Sequence, residues 1–214
     1  MSFISISLII RKMNDILIAY NSRPDDDAHN FFQSCADEVR QACADLGHGC
    51  SIKTRDELTE QVIMQSMTSH SLCVFAAHGS SDSIVNENDD EVISTRTTNY
   101  VFKGKGLYAI SCSCASSLLP ELSRIGISIF VGYDDDFRLS GDAGVFVNCA
   151  LSGFRSFAEG KSFGQAQSDM LASFDEAIRK AGDSSNPFEK MLLLRDKESL
   201  VFHGEPETTF SDLI

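Results

Sequence analysis

Two unbroken apolar runs, each ending abruptly in a reactive side chain, constrain this chain more than any other feature. Leu72 to Ala77 (LCVFAA) passes directly into His78-Gly79, and Leu107 to Ser111 (LYAIS) passes into Cys112-Ser113-Cys114. Apolar runs without polar alternation predict strands buried on both faces, as in parallel sheets. Ile16 to Tyr20 is a third such run, Ile127 to Gly132 a fourth, and Cys50 to Thr54 a weaker strand. Between them lie helical patterns. Phe31, Phe32, Cys35, Val39, Ala42, Cys43 and Leu46 share one face of a helix over 28–46. Asp25 to Asp27 are placed to cap that helix and Gly47 to stop it. Further helices are expected over about 57–67, 116–125, 143–158 and 163–181. Two short strands, Met191 to Leu194 and Leu200 to His203, close the pattern.

Strands alternating with helices of this length predict an α/β three-layer sandwich. The sheet should be six-stranded and largely parallel, with helices on both faces. One domain is expected over 15–204, and no linker composition interrupts it. Residues 1–14 read as a leader or an extra edge strand. Residues 80–98 read as a polar loop or exposed hairpin, and residues 205–214 as a loose acidic tail.

Composition narrows the function. The formal net charge is −13, which argues against a nucleic-acid binder, because phosphate neutralisation needs clustered Lys and Arg. Seven cysteines are present with no CxxC pair, so a zinc ribbon or thioredoxin motif has no support. Their odd number and apolar settings fit free thiols in a reducing, cytoplasmic compartment. Cys35, Cys43, Cys50, Cys73 and Cys149 read as packing thiols. The apolar stretch from Phe3 to Ile10 is far too short for a membrane span. Arg11 and Lys12 come after it, where a signal peptide would have its charge first.

In an open α/β sheet, ligands gather at the carboxyl ends of the strands. Both reactive clusters stand at such ends. If the two strands are neighbours, the His78 imidazole and a thiol emerge on one rim. A thiolate attacks a peptide carbonyl and an imidazole protonates the departing amine. The Gly79 N–H, with that of the cysteine, is placed to hold a developing oxyanion.

In these motifs the sequence resembles the caspase-hemoglobinase clan of cysteine peptidases, which includes caspases, metacaspases, gingipains, separases and bacterial CHAT peptidases. VFAAHGS at 74–80 and YAISCSCASS at 108–117 resemble the clan's strand ending in His-Gly and its next strand ending in cysteine. Ile129-Phe130-Val131-Gly132-Tyr133 and LLLRDKESLVFHG at 192–204 resemble its later strands, so the likeness covers about residues 15–204. It implies a caspase-like endopeptidase with a Cys-His dyad and no cofactor or metal. His78 is then the general acid/base. The clan carries one cysteine where this chain has two. Ala115-Ser116-Ser117 resembles the residues just after the clan's nucleophile, which favours Cys114, and a shift of two residues makes Cys112 the nucleophile instead. Residues two apart on a strand point the same way, so alternation alone does not choose between them.

The resemblance also bears on partners. Acidic residues in the region of Asp134, Asp135 and Asp136 bind a substrate arginine or lysine in some members, whereas an arginine near the position of Arg23 binds aspartate in caspases. The acidic pocket is the favoured expectation. Likeness to CHAT peptidases implies a protein substrate, such as a companion pore-forming or effector protein, in a defence or cell-death setting, with an activating partner. No nucleic acid or membrane is expected. Two other readings stand beside this one. One is a catalytically silent scaffold or regulator of the same fold. The other is a receiver- or flavodoxin-like signalling domain, to which Asp25 to Asp27 lend some support.

Overall fold

The computed structural model describes residues 15–97, 99–141, 143–183 and 186–214. The leader expected over 1–14 lies outside them. Six strands form the main sheet: β1 (Ile16–Tyr20), β2 (Cys50–Lys53), β3 (Leu72–Ala76), β6 (Gly106–Ile110), β7 (Ile129–Tyr133) and β8 (Leu200–Gly204). Their order is β2-β1-β3-β6-β7-β8. All neighbours are parallel except β7 and β8, which run antiparallel. Strands β4 (Ser83–Val85) and β5 (Glu91–Ser94) form a separate hairpin.

The absence of alternation in the apolar runs has a simple cause. Successive side chains of a strand point to opposite faces, and here both faces are covered. Ile16, Ile18, Tyr20, Leu72, Val74, Ala76, Tyr108 and Ile110 join one core. That core is completed by helices α1 (His29–Leu46), α4 (Ala143–Ala158) and α5 (Phe163–Asp183). Leu17, Ala19, Cys73, Phe75, Leu107 and Ala109 point the other way, toward α2 (Glu60–Met67), α3 (Leu118–Ile125) and the hairpin. Each buried Phe or Leu contributes roughly 1.5–3 kcal/mol relative to exposure, so neither face of these strands tolerates polar residues. The α/β class and the mostly parallel six-stranded sheet agree with expectation.

Four local readings are corrected. Met191 to Leu194 is not a strand but part of α6 (Pro187–Glu198). Asn186 caps that helix by accepting the Glu189 N–H, and Pro187 occupies its first turn. Asp25 to Asp27 do not cap α1: its N-cap is Ala28, with no side-chain cap. The segment expected as a loop or exposed hairpin does hold the β4–β5 hairpin, but its underside is buried, with Ile84, Val92 and Ile93 fully covered. The terminal segment is packed rather than loose. Phe210 and Leu213 are buried, Thr209 and Asp212 form a reciprocal cap, and the Ile214 N–H reaches Gly104 O at 3.1 Å. Among the described residues no helix is long and apolar enough to cross a membrane.

The reactive residues share one rim because β3 and β6 are adjacent and in register, Ala76 facing Ile110. The Ala77 N–H continues the pairing to Ile110 O at 3.3 Å. Both strands therefore end together.

Candidate active site

Past Ile110 the chain leaves the sheet, and soon afterwards it turns. Ser113 has a φ of 55°, in the left-handed region that a non-glycine residue rarely occupies. This turn separates two thiols that an extended strand would have kept together. Cys112 stays on the α1 side and lines a cavity of about 90 Å³ with His78, Ser111 and residues of α1. Cys114 is carried under the sheet into the opposite core, where it is fully buried. Its Sγ lies 3.4 Å from Ser111 O and is packed against Gly132, where an added Cβ would sit 3.1 Å from the sulfur.

The thiols differ accordingly. Burial pushes the Cys114 thiol up to about 12, which leaves almost no thiolate at neutral pH. Cys112 is only partly covered. Burial raises its thiol as well, opposed by a weak contact with Phe137 O at 3.8 Å. Of the two candidate nucleophiles, the structure brings Cys112 and not Cys114 to His78.

His78 is held from two sides. Its ring packs edge-on against Phe32 at 5.2 Å, and its Nε2 lies 2.7 Å from Asp26 Oδ2. The other carboxylate oxygen of Asp26 accepts the Ala28 N–H at 2.8 Å. Asp26 is thus fixed by its own turn and aimed at the imidazole. A carboxylate on Nε2 favours the tautomer with its proton there, leaving Nδ1 as the basic nitrogen. Sequence reading missed this residue because a run of three aspartates before a helix reads as a cap. The available signal was positional: β1 neighbours β3, so the loop after Tyr20 must pass beside His78.

Gly79 is needed for space. A Cβ there would lie 2.4 Å from Ser111 Oγ and 2.9 Å from Cys112 O, closer than packing allows. The glycine therefore lets the two strand ends close on each other. Among the described residues neither the Gly79 nor the Cys112 N–H has a hydrogen-bond partner. Two free donors at one strand end suit an incoming oxyanion.

The expected charged pocket residues lie elsewhere. Asp134, Asp135 and Asp136 are exposed, and none lines the cavity. Asp135 pairs with Arg195 at 2.8 Å, which holds its carboxyl below the usual range. Asp136 pairs with Arg138 at 3.1 Å. Arg23 forks onto Asp25 at 2.7 and 3.0 Å and donates to Glu87 O. The segment directly after Asp136 does line the cavity, through Phe137 and Leu139.

That segment is anchored by Asp196 of α6, fully buried, whose Oδ1 accepts the Arg138 N–H at 2.9 Å. Among the described residues its Oδ2 has no hydrogen-bond partner. Burial raises this carboxyl to about 7, against the opposing pull of the Arg138 N–H and Arg195. The folded value exceeds the unfolded one, so the fold binds the extra proton. Stability from this group is complete below about pH 4 and is lost as pH rises through about 7. Asp196→Asn keeps the acceptor and is expected to remove that slope, on the order of a few kcal/mol. Thermal melts between pH 4 and 8 check this, and an unchanged profile in the variant would remove Asp196 as its source.

Compared with protein-family models and with curated proteins, the chain shows no match.

Proposed function

We propose that this chain is a cysteine endopeptidase of caspase-hemoglobinase type, acting through Cys112 and His78. The observation that carries the reading is that Cys112 and His78, far apart in sequence, line one cavity at adjacent strand ends. The sheet order, the antiparallel last strand and the hairpin directly after His78 support the fold assignment.

In the proposed mechanism His78 takes the Cys112 proton as the sulfur attacks the scissile carbonyl carbon. The Gly79 and Cys112 N–H groups bind the resulting oxyanion. Collapse breaks the C–N bond, and the imidazolium gives its proton to the departing amine. Water then attacks the thioester, losing its proton to His78, and the acid product leaves with the thiol restored. Asp26 orients the imidazole without accepting its proton. Burial raises the Cys112 thiol, so removal of its proton by His78 is part of the attack in this mechanism. A polypeptide substrate is the natural consequence of this chemistry. A companion effector or pore-forming protein in a cytoplasmic defence or cell-death setting is the context that the sequence resemblance supplies.

The test is to react the intact chain with peptidyl acyloxymethyl ketones and locate the adduct by mass spectrometry. The adduct is expected on Cys112 and not on Cys114 or the exposed Cys50. Labelling that ignores Cys112 under every condition would sink the reading.

A further inference from the structure

The cavity that receives Cys112 has a lining of two kinds. His78, Ser111 and Cys112 supply its polar and reactive groups, and Ala28, Phe31, Phe32, Ile110, Phe137 and Leu139 are apolar. We propose that this cavity is the pocket for the substrate side chain next to the scissile bond, and that it takes leucine, methionine or phenylalanine. This rests on the peptidase reading and names the substrate class that reading leaves open.

Size supports the assignment. A cavity needs roughly 10–15 Å³ to hold one water, so one of about 90 Å³ has room for several water-sized groups, as many as a medium or large apolar side chain contains. The wall is preformed. Phe137 stacks on Phe31 at 5.1 Å and meets Tyr133 edge-on at 4.9 Å, so it is braced from two sides. Charge points the same way. Among the described residues, no arginine, lysine, aspartate or glutamate lines the cavity. Of the three acidic residues just before Phe137, Asp135 pairs with Arg195, Asp136 pairs with Arg138, and Asp134 is exposed outside the cavity lining, while Arg23 pairs with Asp25. A cationic or anionic side chain entering here would lose its water, and the one carboxylate beside the lining, Asp26, is already engaged by His78 and the Ala28 N–H, so the transfer is costly. An apolar one gains by every methylene it buries. The charged pocket expected from the sequence is thereby replaced by an aromatic one, built in part from Phe137 and Leu139 just beyond the aspartates.

The experiment uses the intact chain and fluorogenic peptide amides that differ only at the residue before the scissile bond. Leu, Met, Phe, Ala, Arg, Lys and Asp are compared, with Cys112→Ala as the control for enzyme-dependent turnover. Leu, Met or Phe is expected to exceed Arg, Lys and Asp by about 100-fold or more in kcat/KM. Ala28→Leu fills the cavity from a half-buried position ahead of α1. It is expected to lower the best substrate by about 10–200-fold relative to the Ala peptide, with the thermal melt confirming the fold. Cys112-dependent turnover that prefers Arg, Lys or Asp overturns the pocket and leaves the peptidase reading standing. Apolar preference untouched by Ala28→Leu overturns the location. Absence of both turnover and Cys112 adducts across the whole panel overturns the pocket and the peptidase reading together.

Discussion

Cys112→Ala is expected to abolish turnover, roughly 10⁴-fold or more, while Cys114→Ala stays within about twofold of wild type. The two residues are separated by one position and by one backbone angle, the φ of 55° at Ser113. That angle puts one sulfur at the cavity with His78 and the other in the opposite core against Gly132. A nucleophile must reach a carbonyl carbon and have a base to take its proton, and Cys114, fully buried in the core on the other face of the sheet with its thiol pushed up to about 12, does neither. Cys114→Ala removes one buried sulfur and leaves a small void, costing about 1 kcal/mol. Its signature is a lower melting temperature with full activity. Cys112→Ala should show the reverse, an unchanged melt and no turnover. If Cys114→Ala is dead and Cys112→Ala is active, the assignment of the nucleophile fails.

The range of each interaction decided whether the sequence disclosed it. Ile16 to Tyr20 and Leu72 to Ala77 announce doubly covered strands, because each residue's neighbours on either face demand an apolar side chain whatever the details. Met191 to Leu194 looks the same over four residues, yet Asn186 and Pro187 start a helix just before it. A short apolar run does not distinguish the two states. Phe210 and Leu213 anchor a tail whose acidic composition suggested solvent. The site divides along the same line. His78, Gly79 and the cysteine cluster were legible as strand-end residues. Which of the two thiols faces the cavity with His78 was not, because serine carries no signature for a left-handed backbone. Asp26 was hidden for a different reason. Its partner lies 52 residues away, while its immediate neighbours all suggest a local cap.

Loss of His78 should lower turnover by about 10²–10⁴-fold, and loss of the Asp26 carboxylate should lower it through His78 alone. In His78→Ala no group removes the thiol proton or protonates the departing amine. Alkylation of Cys112 by a simple electrophile needs no amine release, so it should fall much less than turnover. Asp26→Asn is the sharper probe. The Asp26 carboxylate accepts the Ala28 N–H with one oxygen and faces His78 Nε2 with the other. An asparagine that keeps the Ala28 bond presents its amide N–H₂ to Nε2. The imidazole must then accept there and carry its proton on Nδ1, the wrong tautomer for a base on that nitrogen. The expected result is a fall in kcat of about 10–10³-fold with KM nearly unchanged, since Asp26 is not among the residues that line the cavity. Asp26→Glu, which retains a carboxylate at altered reach, should recover part of the loss. A merely structural role for Asp26 predicts a lower melting temperature with kcat preserved. Full kcat in a well-folded Asp26→Asn would therefore remove it from the site while leaving Cys112 and His78 in place.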